Sequence, residues 1–239
     1  AAAITGDPAV AILDTDVATL RALAGEAASG SRLVVLSDEI YEKITYGGID
    51  HFSIGSIPEI AERVVTLNGL SKAYAMTGWR IGYAACPGAF GQKLIKAMGS
   101  LQGQMTTNIT SFVYDAIPVA LNDCEAEVAT MVEAFAARAK LTASLLEPIE
   151  GVEFPAPTGA FYAFCDVSAH FGKASAGGHK ITSAASFAEA LLEEQRVAVI
   201  PGEDFGGDGE NCLRISFACS EEQIRAGAER LAEFVAGLR

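Results

Sequence analysis

The chain has 239 residues, of which 50% are hydrophobic and 20% charged. It is therefore long enough for one large or two small globular domains and too apolar to be disordered. A formal net charge of −13, with no basic stretch to offset it, argues against general binding to nucleic acid or to an anionic membrane. The 5 widely spaced cysteines predict reduced core thiols in a cytoplasmic protein, and neither they nor the histidines show the spacing of a metal site.

The first half of the chain alternates helix and strand, as an α/β domain does. A helix capped by Thr15 or Asp16 is predicted through about Ala28. Strands are then predicted at residues 31–36, 64–68 and 80–84, and helices at residues 88–101 and 108–121. The loop at residues 73–79 separates the last two strands and presents Lys72.

The second half begins with an alanine-rich segment, residues 123–146, that contains no Gly or Pro and predicts a helix bridging two domains. Beyond Pro148, short strands alternate with helices, which indicates a small α+β domain. Strands are predicted at residues 152–154, 160–164, 197–201 and 212–217, and helices at residues 183–194 and 221–238. The predicted domains are residues 1–122, the bridging helix 123–147, and residues 148–239.

Two glycine-containing segments in this second half are predicted to be loops. Residues 173–179 are rich in Gly, Ala and Ser and are expected to be mobile. Gly202, Gly206, Gly207 and Gly209 lack a following helix pattern, so they predict a turn and not a nucleotide-binding loop.

The most informative segment runs from Ser71 through Lys72 to Arg80. A lysine amine can form a Schiff base with an aldehyde, while a hydroxyl and a guanidinium together suit a phosphate dianion. Upstream, Asp38 lies near the end of a predicted buried strand, where an acid could pair with a pyridinium nitrogen. These residue types in this order predict a site for pyridoxal phosphate (PLP). Taken singly, Lys72 could be a solvated loop lysine, and Asp38 could cap the next turn.

The chain resembles the C-terminal part of a class I aminotransferase, in the branch of fold type I PLP enzymes that includes bacterial aspartate and prephenate aminotransferases. The resemblance runs from about Leu20 to the C-terminus. Its strongest segments, in the order of the family, are residues 37–41, 68–83, 157–164 and 197–218. It implies an α/β fold that comprises part of the PLP-binding large domain, a mostly parallel sheet with helices on both faces, and a small α+β C-terminal domain.

The resemblance also implies how PLP would be held. Lys72 would bind the cofactor covalently and then move a proton on the substrate, while Asp38 would keep the pyridine nitrogen protonated. Tyr41 would donate its hydroxyl to the ring oxygen, although an ordinary half-buried tyrosine would look the same. Ser71 and Arg80 would hold the phosphate, the alternative for Arg80 being a structural ion pair.

Arg214 is an arginine among apolar neighbours in a predicted strand. Burying a guanidinium is costly unless it meets an anion, so either a structural ion pair or a bound ligand is expected there. The resemblance implies that the ligand is the α-carboxylate of amino-acid and 2-oxo-acid substrates. It also places Thr107 and Asn108 where family members reach the partner subunit's active site, which implies a homodimer.

The implied function is transfer of an amino group between an amino acid, with an acidic or aromatic side chain, and a 2-oxo acid. The alternatives are a PLP-dependent lyase on the same scaffold and a non-catalytic remnant that acts as a binding module. Family members carry, ahead of this region, a glycine-rich phosphate loop, an aromatic ring that stacks on the cofactor and an Asn-Pro-Thr-Gly turn. The sequence here shows none of these, so we expect the 239 residues alone to show little transamination.

Overall fold

The computed structural model describes residues 2–4, 11–13, 34–206 and 209–239. The predicted helix that ends near Ala28 lies outside these residues. The chain divides into two compact units, Ala1–Thr130 and Met131–Arg239. All five cysteines are described and are free thiols. Within the described residues, each helix is too short or too polar to span a membrane.

The first unit contains a three-stranded sheet in the order β3-β4-β5. Its strands are β3 (Val35–Asp38), β4 (Val64–Gly69) and β5 (Gly82–Ala85). β3 runs parallel to β4, whereas β5 runs antiparallel to it. The apolar start of β4 is buried, as a continuous hydrophobic run predicts. A separate antiparallel pair joins β1 (Ala2–Ile4) to β2 (Ala11–Leu13).

The predicted strand at residues 64–68 is confirmed, while the strands before and after it end two residues and one residue later than predicted. The first of them is described from Val35 and continues to Asp38; residues 31–33 of that prediction lie outside the described part. β5 begins two residues later than predicted, at Gly82. The reason is that Arg80 has a left-handed backbone, with φ 56°, and follows a 3-10 turn.

Two helices follow the sheet, α1 (Gly88–Met105) and α2 (Ala116–Asp123). α1 confirms the predicted helix and extends it. The prediction that the second helix starts at residue 108 was wrong, because Thr107 has a left-handed backbone (φ 67°) and Ser111–Val113 forms a 3-10 turn. Pro118 lies in the first turn of α2, where its missing amide proton is tolerated.

The second unit is built on an antiparallel sheet in the order β6-β8-β7. Its strands are β6 (Tyr162–Asp166), β7 (Ile200–Pro201) and β8 (Cys212–Ser216), and its helices are α4 (Ala184–Gln195) and α5 (Glu221–Ala236). The predicted long helix is confirmed as α3 (Glu125–Leu146), and the boundary between the units falls within it. α4 and α5 both begin with a capping box, formed around Ser183 and Ser220.

Two predictions for the second unit were wrong. Residues 152–154 do not form a strand; one isolated bridge joins Glu153 to Asp166, because Gly151, with φ 74°, and Pro155 limit the segment on both sides. The loop at residues 173–179 is tied down by hydrogen bonds. Ser175 is buried, its hydroxyl contacts Glu194, and the backbones of Ala174 and Lys180 pair as a bridge.

Candidate functional site

The predicted cofactor-binding residues lie near one edge of the first sheet. β3 and β4 are parallel, so their carboxyl ends meet at the same edge; Asp38 is aligned with Leu67, near the end of β4. β5 runs the other way and begins at that edge, where Gly82 is aligned with Gly69. The register therefore places Asp38, the turn that carries Lys72 and the residues that precede β5 at the ends of adjacent strands.

Lys72 lies in a tight turn that leaves the end of β4. The amide of Met76 donates to the carbonyl of Leu70 (3.2 Å), and the amide of Ala75, whose φ is 52°, donates to the carbonyl of Lys72 (3.2 Å). The side chain of Lys72 is half-buried, with its Nζ 6.0 Å from the centre of the Tyr41 ring. The turn thus brings the predicted amine and the predicted phenol together.

Ser71 and Arg80 are joined through Thr77, a residue that the sequence pattern did not single out. The Thr77 hydroxyl donates to the backbone carbonyl of Ser71 (3.0 Å), and Nη1 of Arg80 donates to the backbone carbonyl of Thr77 (2.7 Å). Both predicted phosphate ligands are therefore fixed to one threonine. A hydroxyl in a turn is too common for its position in the sequence to have signalled this role.

Asp38 is exposed at the end of β3, where its Oδ1 accepts a hydrogen bond from the amide of Ile40 (3.2 Å). This is the turn-capping geometry that the sequence left open as the alternative for this residue. A carboxylate bonded through one oxygen keeps further acceptor capacity, so the same contact also orients Asp38 for a second partner.

The neighbouring Glu39 is buried and is a second feature that the sequence did not reveal. Its Oε1 accepts from the hydroxyls of Ser37 (3.0 Å) and Ser53 (2.7 Å), and its Oε2 lies 3.1 Å from Nε2 of His51. Buried carboxylates need such partners. Glu42 lies close by, with one potential ligand atom each of Glu39, Glu42 and His51 within 4.8 Å of one another. The cluster ties residues 51–53 to the strand end that carries Asp38.

A surface cavity of about 620 Å³ lies beside Arg80 in the first unit. Its lining includes Trp79, Arg80, Asn108 and Phe112, and the rings of Trp79 and Phe112 meet edge to face with centroids 6.2 Å apart. Asn108 is one of the two residues, with Thr107, that the resemblance assigned to a partner subunit's site; Thr107 is not among the lining residues. The structure thus brings Asn108 and a predicted phosphate ligand to one surface of the first unit.

Arg214 lies in the central strand of the second unit and is half-buried, with two aromatic rings close to its guanidinium. Its guanidinium carbon is 4.4 Å from the ring centre of Tyr162 and 4.2 Å from that of Phe205. Among the described residues, which leave out Gly207 and Asp208, no carboxylate lies within ion-pair distance of it. The sequence predicted either a structural ion pair or a bound ligand for Arg214. The contacts of its guanidinium with two aromatic rings were not predicted.

The chain is similar to aminotransferases throughout most of its length. Residues 13–231 match the profile of the family described as aminotransferase class I and II. It is 44% identical over 205 residues to an aspartate/prephenate aminotransferase of Cereibacter sphaeroides, covering 85% of this chain and 50% of that protein. It is 41% identical over 203 residues to a bifunctional aspartate aminotransferase and glutamate/aspartate-prephenate aminotransferase of Petunia hybrida, covering 84% of this chain and 41% of that protein.

Solved structures show the same similarity. The aspartate aminotransferase of Rhizobium meliloti superposes with a TM-score of 0.86 at 36% identity, over 94% of this chain and 55% of that one. An aromatic aminotransferase of Pyrococcus horikoshii gives a TM-score of 0.79 at 32% identity, over 93% and 56%. The predicted resemblance and the predicted α/β fold class are confirmed. The chain spans about half the length of the curated relatives it matches.

Proposed function

The chain belongs to the aminotransferase class I and II family, and we propose from this premise that it forms part of an aminotransferase that uses PLP. The observation that supports the proposal most strongly is the strand register, which puts Asp38, the turn that carries Lys72 and the segment with Arg80 at the ends of adjacent strands. The family match supports this use of the fold, and these residues offer the chemical groups that such a use requires.

The donor groups at this edge fit PLP. Lys72 offers an amine for the aldehyde, Asp38 offers a carboxylate for the pyridine nitrogen, and Tyr41 lies next to Lys72 with a hydroxyl for the ring oxygen. Ser71 and Arg80, joined through Thr77, offer a hydroxyl and a guanidinium for the phosphate. When bound, PLP supplies an aldehyde that combines with amines and a ring that withdraws electrons from the substrate Cα.

The residues of the chain then have separate tasks. With PLP bound, the Lys72 amine would take the proton from the substrate Cα and donate it to the carbon that was the aldehyde carbon of the cofactor, which requires a mobile base at short range. The Asp38 carboxylate keeps the proton on the ring nitrogen, so that the ring remains electron-withdrawing. Arg80 neutralises the phosphate through charge-assisted hydrogen bonds, which are stronger than neutral ones.

Arg214 is proposed to bind the substrate α-carboxylate. A guanidinium presents two parallel N–H groups in the geometry of a carboxylate, which a lysine cannot do. An amino acid and the 2-oxo acid formed from it share this carboxylate, so one arginine serves both halves of an amino-group transfer.

The substrate class is proposed from the relatives. Those described above are named as aspartate/prephenate or aspartate aminotransferases, and one structural neighbour as an aromatic aminotransferase. We therefore propose aspartate or glutamate as the amino donor and a 2-oxo acid, including prephenate, as the acceptor. Asn108, in the cavity beside Arg80, is proposed to face a second copy of the chain in a homodimer.

The test is an assay of the full-length protein with PLP, aspartate and prephenate. Amino-group transfer predicts that oxaloacetate and the amino product of prephenate appear in equal amounts. Release of ammonia without an amino product would support the lyase alternative instead. Failure to bind PLP at all would support a non-catalytic binding module.

A further inference from the structure

We propose that Tyr162 and Phe205 act as positioning residues that clamp the plane of the Arg214 guanidinium and make it selective for planar carboxylates. The inference deepens the proposed function and rests on the role of Arg214 as the carboxylate ligand. The inference concerns how the Arg214 side chain is held in position. Neither the family match nor the resemblance assigns residues to that role.

The sheet itself places Tyr162 beside Arg214. In the β6–β8 pairing, Arg214 is aligned with Phe164, and Tyr162 precedes Phe164 by two residues. Residues two apart on a strand point to the same face of the sheet, so Tyr162, Phe164 and Arg214 share one face. Diagonal neighbours across a strand pair are within reach of long side chains, which accounts for the distance of 4.4 Å from the guanidinium carbon to the Tyr162 ring centre.

Phe205 reaches Arg214 from a loop and not from the sheet. It ends a 3-10 turn, Gly202–Phe205, that directly follows β7, and its ring centre lies 4.2 Å from the guanidinium carbon. The ring also meets Phe164 edge to face, with centroids 6.2 Å apart. Phe164 therefore supports Phe205 from the sheet while Phe205 covers Arg214.

The glycine cluster explains why the loop can hold this position. A Cβ on Gly202 would lie 2.3 Å from the carbonyl oxygen of Gly209, and a Cβ on Gly209 would lie 2.3 Å from that of Gly202. Only glycine permits so close an approach. Gly206, directly after Phe205, has φ 114°, which other residues rarely adopt. The loop that presents Phe205 is thus built with Gly202, Gly206 and Gly209, which the sequence indicated only as part of a turn.

The clamp restricts what Arg214 can bind. Cations lie favourably over ring faces, so the two rings fix the orientation of the Arg214 guanidinium. The N–H groups at the edge of the guanidinium then stay available to bind the substrate. A carboxylate is planar and meets such an edge through both oxygens. A phosphonate could match two oxygens in the same way, but its third oxygen would project out of the plane towards a ring.

The first test measures the clamp itself, without cofactor or activity. In the 239-residue chain, ring currents should move the Arg214 side-chain proton resonances upfield of those of exposed arginines. Phe205→Leu keeps the apolar character but removes the ring, and it should bring these resonances back downfield. Phe205→Tyr retains the ring and should preserve the shift. Unshifted Arg214 resonances in the unmutated chain would overturn the proposal.

The second test measures selectivity in the full-length, cofactor-loaded protein. Phe205→Leu should weaken the binding of an amino-acid substrate about three- to tenfold, as expected for one cation–π contact, and this should raise KM more than it lowers kcat. The same variant should narrow the preference for that amino acid over its aminophosphonic analogue. Phe205→Tyr should restore both properties, and Gly202→Ala, which displaces the loop, should act like Phe205→Leu.

Phe171→Leu is the matched control, because Phe171 is a half-buried phenylalanine packed against the core of the same unit; it should leave affinity and selectivity unchanged. If Arg214→Ala weakens substrate binding while Phe205→Leu does not alter affinity or selectivity, the clamp is wrong and the proposed function stands. If Arg214→Ala itself has no effect on amino-acid binding, the carboxylate role fails and the clamp proposal fails with it.

Discussion

The two units differ in how completely they bury their apolar side chains. In the second unit, one continuous cluster joins Leu146 and Ile149 to Phe187, Leu213 and Phe234. The described part of the first unit has smaller clusters, around Ile60 and around Leu70. Large exposed hydrophobic side chains are more numerous in the described part of the first unit than in that of the second. Among the described residues of the second unit, those that remain exposed are Leu192, Ile200 and Phe205.

The exposed apolar side chains of the first unit lie mainly along α1 and in the segment that follows it. Leu101 and Met105 are 61% and 71% exposed, and Phe112 is 73% exposed. Large exposed apolar patches usually mark surfaces that contact other protein. The unit with the proposed cofactor site is therefore expected to depend on further protein contacts, whereas the described part of the second unit leaves few large apolar side chains exposed.

The largest expected effect would separate chemistry from stability. Lys72→Ala in the full-length protein should lower amino-group transfer by on the order of 10²–10⁴-fold, the usual contribution of a positioned proton-transfer group. Stability should change little, because Lys72 is a half-buried turn residue. Steady-state kinetics measure the first effect and urea unfolding the second. Borohydride reduction of the loaded protein and peptide mapping should place the cofactor on Lys72; label on another lysine would contradict the assignment.

The second prediction tests whether the units differ in stability. Phe187 is fully buried in the second unit, so Phe187→Ala should destabilise the chain by about 3–5 kcal/mol. Leu101→Ala, on the exposed side of α1, should change stability by less than about 0.5 kcal/mol.

Urea unfolding can follow the two units with different probes, because the single tryptophan, Trp79, lies in the first unit. Phe187→Ala should shift the transition seen by circular dichroism more than the transition seen by Trp79 fluorescence. Equal shifts of both transitions would mean that the units unfold together. The expected difference in stability between the two units would then be wrong.

Arg214→Ala tests whether the second unit, despite its complete core, takes part in the reaction. Loss of a charge-assisted contact with the carboxylate should cost about 1.5–3 kcal/mol, or roughly ten- to hundredfold in kcat/KM, for amino and 2-oxo acids alike. Amines without a carboxylate should be much less affected. Arg225→Ala is the control, because Arg225 is an exposed arginine paired with Glu221 on α5. Equal losses for amines and amino acids would exclude the carboxylate role.

A smaller effect is expected at Thr77, in the first unit. Thr77→Val removes the hydroxyl that holds Ser71 while keeping the shape of the side chain. One hydrogen bond is worth about 0.5–1.5 kcal/mol, so PLP should bind roughly two- to tenfold more weakly. Thr77→Ser should restore the affinity. Pyridoxal, which lacks the phosphate, should bind the unmutated protein, Thr77→Val and Thr77→Ser with equal affinity. If Thr77→Val also bound pyridoxal more weakly, the substitution would have disrupted the turn as a whole.

The smallest expected effect concerns pH and the second unit. His170 is buried, and its desolvation, followed by the charge of Lys173, lowers the pKa of the imidazole below its ordinary value of 6.5. Below pH 6.5 the unfolded chain therefore takes up a proton before the folded chain does, so stability falls as the pH decreases. Urea unfolding at pH 7.5 and at pH 5.5 should show this loss, and His170→Gln should reduce it. An unchanged pH dependence in the variant would rule out His170 as its source.

Much of the fold and the candidate site was predictable because the signals are local. Two elements follow from their own local sequence: the strand in the apolar run that begins at Val64, and α3, in the long segment without Gly or Pro. The predictions of element boundaries were wrong where a single residue has a left-handed backbone that interrupts the helix or strand. Thr107, with its left-handed backbone, delays α2, and Gly151 leaves residues 152–154 with a single bridge. Such dihedral angles are not encoded in hydrophobic periodicity.

What the sequence determined by itself is which chemical groups are present and in what order: an acid, a phenol, a lysine and an arginine. Tertiary structure decided which groups meet. The register of β4 with its two neighbours brings Asp38 and the Lys72 turn to one edge, and a glycine-dependent loop brings Phe205 onto Arg214. Contacts of this kind join residues far apart in the chain or on opposite sides of a turn. They depend on strand pairing and on close backbone approach, which the order of residues does not specify locally.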